Sequence, residues 1–398
     1  MHQISKTEKV KENKEKKKLL LFAAAAIFLC TGCATTAQKA APAKPYTGKQ
    51  LRAGFYIDKG SRGGGVLNLA RLLHYSPQIK EVVYLKGEDL VKGKLKGLDM
   101  LVMPGGSSQL QMTSMTPAGV KALQDYVKNG GIYVGICAGF HITLNRPERA
   151  QLMPYTYIRE AVGNRGDALI EFTPEAKKLL NIDTTKIFVR YSRGPIARKA
   201  QWDKGTCKTY AVYKSSVSPL NRMGKSFYGT PALIGGTYGK GKVIASSFHP
   251  ENKPATYHIF SGMVYAVTGV KLTPEIPQPV YRFLRTVYPT IQAMSKGTEA
   301  AAKEFIALEK NTDLQLLSGL NPDNLALADV VVLPEIASES AKKFAKGEWP
   351  GLLKSFMDSG RKVVTVGPGW KAVPDHKNLT RIAAKDELDK AVLKAAAK

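Results

Sequence analysis

Three short segments carry the residues that could do chemistry. Gly135-Ile136-Cys137-Ala138-Gly139 places a cysteine between small residues, straight after the apolar run "GIYVGI" at 131–136. A G-x-C-x-G spacing fits a sharp strand-to-helix turn, where the neighbours of a nucleophile must be small. A helix N-terminus at such a turn favours the thiolate. The same pentapeptide also fits a buried cysteine at a tight turn. His249-Pro250-Glu251 offers a base and, two residues on, a carboxylate to orient it. A thiol nucleophile needs both. Alone, the tripeptide also reads as a loop histidine beside a surface acid. Pro104-Gly105-Gly106 offers glycine amides that, with the amide of Ala138, could form an oxyanion hole. Its plainer reading is a strand-to-helix turn.

The elements that must position these residues follow from the apolar pattern. "LRAGFYID" (51–58), "EVVYL" (81–85), "LDMLVMP" (98–104) and 131–136 read as strands. Several are continuously apolar, as strands buried on both faces are. "VLNLARLLHY" (66–75) and "ATYHIFSGMVYAVT" (255–268) have helical spacing. A helix is predicted over 116–130, with Thr116 as N-cap, Pro117 in the first turn and Gly130 as its stop. Residues 236–251 read as a hairpin turning at Gly239-Lys240-Gly241, whose second strand runs into His249. The alternation implies an α/β fold with a mainly parallel sheet, a flavodoxin-like or Rossmann-like three-layer sandwich. Sites in such folds lie at the carboxyl ends of the strands, where "PGGSS" (104–108) and "CAGF" (137–140) both fall.

In order and spacing these motifs resemble the class I glutamine amidotransferase-like superfamily over residues 51–270. "VMPGGSS", "GGIYVGICAGF", "RYSRGP" (190–195) and "YGKGKVIASSFHPE" are most similar to the N-terminal domain of biotin–protein ligases and its stand-alone bacterial relatives. The resemblance implies a Cys137–His249–Glu251 triad with Gly105, Gly106 and Ala138 around the oxyanion. Arg193 stands where that family's loop has a smaller residue, and the loop receives no role. No P-loop and no synthase-like half accompany the domain, and nothing resembles a biotin-ligase catalytic domain.

The chain of 398 residues holds 59 Lys+Arg against 32 Asp+Glu, a net charge of +27, which favours an anionic partner. Residues 1–18 hold seven lysines and three glutamates, and an apolar run, "LLLFAAAAIFL", fills 19–29. That run is too short to span a bilayer but suits a signal-peptide core. "CTGC" (30–33) then resembles a lipobox, with Cys30 where the pattern usually has leucine. The resemblance implies lipidation at Cys33, with a plain secretory signal or an uncleaved anchor as alternatives. Residues 1–32 are thus expected to be a lipoprotein signal peptide and 33–50 a flexible tether rich in Ala, Thr, Pro and Lys. The folded part is expected in the cell envelope, with a membrane as partner through lipid and basic surface, and no nucleic acid. By analogy with Gram-negative lipoproteins, Ala34 favours the periplasmic face of the outer membrane. Two cysteines then remain, Cys137 and Cys207, which in an oxidising compartment could pair and silence the nucleophile.

Residues 271–398 contain a fainter second copy. Asp99–Pro104 matches Asp329–Pro334, and residues 120–140 match 350–370, both at an offset of 230 without gaps. Any strand–helix–strand unit could align in this way. In the copy Glu335 replaces Gly105 and Gly367 replaces Cys137, so it is read as a degenerate α/β unit lacking the triad. His74, His141 and His258 lack acidic or cysteine neighbours at ligand spacing, so neither metal nor cofactor is expected. "GSRGGG" (60–65) lacks the context of a nucleotide loop, and Trp202, Trp349 and Trp370 read as packing residues. Three functions stay open: a cysteine-nucleophile hydrolase acting on a small-molecule or peptide amide, a non-catalytic binding or regulatory lipoprotein that reuses the pocket, or a structural envelope protein held by its charge.

Overall fold

In a computed structural model of the chain, the elements follow the apolar pattern closely in the first half. The described residues lie between 46 and 383. Those at 62–63, 160–164, 202–203, 216, 218–226, 277–280, 335–345 and 368–369 are outside the description. Between 290 and 327 it takes in 303, 305–306, 308–309, 312–317 and 325. The expected signal peptide, Cys33 and most of the tether therefore lie outside it, as do Trp202 and Glu335. Among the described residues no helix is long and apolar enough to cross a membrane.

The first half alternates strand and helix: β1 (Leu51–Tyr56), α1 (Gly64–His74), β2 (Ile79–Leu85), α2 (Gly87–Val91), β3 (Met100–Met103), α3 (Ser108–Lys128), β4 (Ile132–Ile136) and α4 (Ala138–Thr143). Next come β5 (Tyr155–Tyr157), β6 (Arg165–Phe172), α5 (Pro174–Leu180), β7 (Lys186–Ser192), β8 (Ala197–Lys199), β9 (Cys207–Tyr213), β10 (Pro231–Tyr238), β11 (Gly241–Ser246) and α6 (Tyr257–Thr268). A nine-stranded sheet runs β2-β1-β3-β4-β11-β10-β9-β6-β7. Its first five strands are parallel, in flavodoxin-like order. The remaining four pair antiparallel.

Side-chain alternation explains the three layers. On β3, Met100 and Val102 join the core beneath α1 and α6, while Leu101 and Met103 join the core beneath α3 and α4. Both faces are apolar because both are covered. α3 begins earlier than the sequence suggests. Ser107 caps it by accepting from the Leu110 amide, and Thr116, at φ 60° and ψ 165°, breaks it just before Pro117. The expected helix start is thus the second half of a kinked pair.

The remaining strands are β12 (Tyr281–Pro289), β13 (Thr312–Leu317), β14 (Val330–Leu333), β15 (Lys362–Val366) and β16 (Leu379–Ile382), with α7 (Trp349–Asp358). They form a parallel five-stranded sheet in the order β13-β12-β14-β15-β16, the order of the parallel half of the first sheet. β14 and β15 lie 230 residues beyond β3 and β4. Gly367 follows β15 at φ 74°, as Cys137 follows β4 at φ 52°.

Candidate active site

β4 ends at Ile136, and the chain reverses at Cys137 with φ 52° and ψ −98° before α4 begins. A non-glycine residue there is strained by about 1–3 kcal/mol, so the surroundings must fix it. They do so through glycines. A Cβ at Gly135 would sit 2.8 Å from the Gly139 carbonyl, and one at Gly139 would collide with the Met103 carbonyl. The G-x-C-x-G spacing thus lets β3, β4 and α4 close on one another. The Cys137 amide donates to the Ser246 carbonyl at 2.8 Å, and the His141 amide to the Cys137 carbonyl at 3.1 Å.

His249 lies just past β11, its amide donating to the Arg190 carbonyl at 2.8 Å. Glu251 follows on a single helical turn, Pro250–Asn252, which the Thr256 hydroxyl braces by donating to the Pro250 carbonyl at 2.7 Å. His249 Nδ1 and Glu251 Oε1 are 2.7 Å apart, and Glu251 is 0% exposed. Cys137 lies close enough to the same imidazole to act on its charge. Since Glu251 holds Nδ1, Nε2 is the nitrogen left for sulfur. Burial alone would lower the His249 pKa. The charge of Glu251, then the proximity of Cys137, and the Glu251 hydrogen bond override burial and hold it well above the ordinary histidine value.

Glycines again make the room. A Cβ at Gly105 would lie 2.7 Å from His249 Cε1 and 3.5 Å from Cys137 Cβ, so a side chain there would displace the imidazole. At Gly65, in the first turn of α1, a Cβ would strike Glu251 Oε1. Gly106 adopts φ 140° and bridges to Ser61. Ala138 opens α4 directly after the cysteine. The structure therefore brings Cys137, His249, Glu251, Gly105, Gly106 and Ala138 to one end of the parallel sheet.

The site is nearly closed: Cys137 is 6% and His249 9% exposed. A cleft of about 750 Å³ lies elsewhere, against α5 and β6, lined by Thr173, Lys177 and Asp183 among others. Another, of about 270 Å³, lies at the opposite end of the sheet beside Lys49, Lys240 and Lys242. Neither includes the Cys137–His249 pair.

Both described cysteines are free. Cys207 pairs in register with Gly236, which aligns through Val243 with Tyr133. Cys137 is four residues further up β4 and three strands across, which separates the two by roughly 19 Å at ordinary sheet spacings. A disulfide needs Cα atoms within about 7 Å. The pairing that the sequence left open does not form in this fold.

Sequence reasoning gave the 190–195 loop no role, yet it packs directly behind the base. Arg190 pairs with His249 as an isolated bridge. Gly194 lies so close to Ser247 that a Cβ would overlap its carbonyl, and the Tyr191 hydroxyl donates to the Gly194 carbonyl at 2.7 Å. Arg193 is strained at φ 56° and exposed. Tyr213 and Ser247, whose hydroxyls are 2.5 Å apart, complete this buried support. Its one signal in the sequence was the glycine and proline of "RYSRGP". Among the described residues, no group of three or more His, Cys, Asp or Glu could hold a metal.

The family model for biotin-protein ligase, N terminal, matches residues 85–150, the stretch that carries Gly105, Gly106 and Cys137. No curated protein sequence matches the chain. Among solved structures, a ThuA-like protein from Bacteroides uniformis is 14% identical, covering 58% of this chain and 98% of its own, with a TM-score of 0.40. PurLQS from Thermotoga maritima is 17% identical, covering 54% of this chain and 98% of its own, with a TM-score of 0.38.

Proposed function

We propose that this amidotransferase-like protein is a cysteine-nucleophile hydrolase of an amide or related carbonyl bond. The observation that carries the reading is the 2.7 Å contact of His249 Nδ1 with the buried Glu251, on an imidazole that shares the space in front of Gly105 with a cysteine at a strained elbow. In this reading the thiol proton already rests on His249 Nε2, and sulfur attacks the carbonyl carbon. The amides around Gly105, Gly106 and Ala138 receive the oxyanion. The intermediate collapses, the imidazolium protonates the leaving amine, and a thioester to Cys137 remains. Water then gives a proton to His249 and attacks the thioester, which releases the acid and restores the thiol. Glu251 fixes the tautomer and stabilises the imidazolium throughout. We also propose that the chain is tethered to the envelope through lipid at Cys33, with its basic surface toward anionic lipid.

The burial of Cys137 favours the second reading, a binding or regulatory lipoprotein that has kept the elbow without turnover. Acyl transfer separates the two. Incubation with p-nitrophenyl acetate is expected to add one acetyl group to the full chain, read by intact mass and located at Cys137. Cys137→Ser is expected to prevent it. Acetylation absent from wild type, or confined to lysines, would favour the binding protein.

A further inference from the structure

The second half of the chain reaches the triad through α1. Gly65, Asn68, Arg71 and, directly after the helix, Tyr75 recur at spacings of three and four, so they share one face. At the start of that face the Gly65 backbone lies against Glu251 Oε1 and leaves no room for a side chain. Asn68 Nδ2 reaches Asn252 Oδ1 at 3.4 Å. Arg71 Nη1 donates to the Tyr257 hydroxyl, on α6, at 3.0 Å, and its Nη2 forms an ion pair with Glu309. The Tyr75 hydroxyl donates to the Ile306 carbonyl at 3.1 Å. Residues 305–306 and 308–309 are helical, and Phe305 and Leu308 join the apolar core that holds Val66, Leu69 and Leu73 of α1.

Glu251 needs a support of this kind. Its Oε1 meets His249, but its Oε2 is buried with no hydrogen-bond partner among the described residues. A carboxylate held by one hydrogen bond can pivot about it, so the surface packed behind it sets its angle. The backbone at Gly65 is part of that surface. Glu309 is 7% exposed and the Arg71 side chain 19%. A buried ion pair is tolerated only in good geometry, which apolar contact alone does not demand. The pair therefore fixes how far along its axis and in what rotation α1 sits.

We propose that Glu309, acting through Arg71, is a positioning residue for the triad. The C-terminal half clamps the end of α1, and the first turn of α1 sets the carboxylate of Glu251 against His249. The degenerate unit, which has glycine where the first half has Cys137, thus takes part in the chemistry of the first half. The consequence for catalysis rests on the proposed acyl chemistry, whereas the placing of Glu251 does not.

Proton NMR of the full chain tests the placing without turnover. The proton between His249 Nδ1 and Glu251 lies in a charge-assisted hydrogen bond and is expected to give a far-downfield signal, assigned by its loss in His249→Ala. Glu309→Gln is expected to move that signal and to slow acetylation of Cys137 by p-nitrophenyl acetate at least fivefold. Arg71→Met should do the same, and the double variant should fall no further than the worse single one. Trp370→Phe, which removes a hydrogen bond from Trp370 Nε1 to the Pro334 carbonyl, should lower Tm and leave the signal in place. Tyr75→Phe, expected to move the signal less, is the reporter if neither charge variant folds. An unmoved signal in folded Glu309→Gln, or in Tyr75→Phe where the charge variants do not fold, would reduce the pair to a structural brace and overturn the role. An equal movement in Trp370→Phe, or no such signal in wild type, would also overturn it. A signal that moves as expected in a chain that accepts no acetyl group would leave the role standing and remove the hydrolase. Acetylation of Cys137 with the signal unmoved in Glu309→Gln would do the reverse.

Discussion

Glu251→Gln is expected to slow acetyl transfer to Cys137 by two orders of magnitude or more while leaving the chain folded. The glutamine keeps the volume of a fully buried side chain but presents either a neutral oxygen or an N–H to His249 Nδ1. An N–H there forces the imidazole into the wrong tautomer, with Nε2 protonated and unable to accept from sulfur. The charge that raises the His249 pKa is also lost, and burial then dominates. The pH dependence has a definite sign. A histidine raised in the folded state contributes stability that is fully present below its unfolded pKa, near 6.5. That contribution fades as pH climbs through the raised value. The stability gap between wild type and Glu251→Gln is therefore expected to be widest near pH 6 and to narrow in alkali. Breaking a buried pair costs on the order of 3 kcal/mol. Urea titrations at several pH values measure it.

Gly194→Ala is expected to destabilise the fold by about 3 kcal/mol, because the new methyl overlaps the Ser247 carbonyl. For a unit of this size that lowers Tm by roughly 6 °C or more. Ser247 lies two residues before His249, so the same displacement moves the base, and acetyl transfer should fall with stability. Gly351→Ala is the control. It sits in α7 with nothing within 4 Å, and the substitution should be neutral or slightly stabilising. Equal behaviour of the two variants would mean that the 190–195 loop is not packed against β11 as described.

The parallel half of the fold was legible because β1, β3 and β4 are short apolar runs bounded by glycine or proline. The elbow was legible because its glycines answer a steric need that recurs at any such turn. The antiparallel half was not. β6 and β7 alternate buried and exposed residues weakly, with Phe188 58% exposed on the edge strand. The first half of α3 was missed because Pro117 gives the stronger start signal, while the cap at Ser107 acts through one hydrogen bond. The triad could be assembled from three motifs that each sit at a strand end. The Ser108–His141 contact could not, since it is made by packing α3 against α4, with no spacing in the chain to announce it. Only the register of β4, β11, β10 and β9 could separate Cys137 from Cys207.

The most direct test of the central claim is the rate of iodoacetamide labelling at each cysteine of the reduced full chain at pH 6.5, resolved by peptide mass. Cys137 is expected to label at least tenfold faster than Cys207 despite its deeper burial, and His249→Ala should abolish that advantage. Labelling of Cys137 at or below the rate of Cys207, unchanged in His249→Ala, would contradict the account of Cys137 as an activated nucleophile.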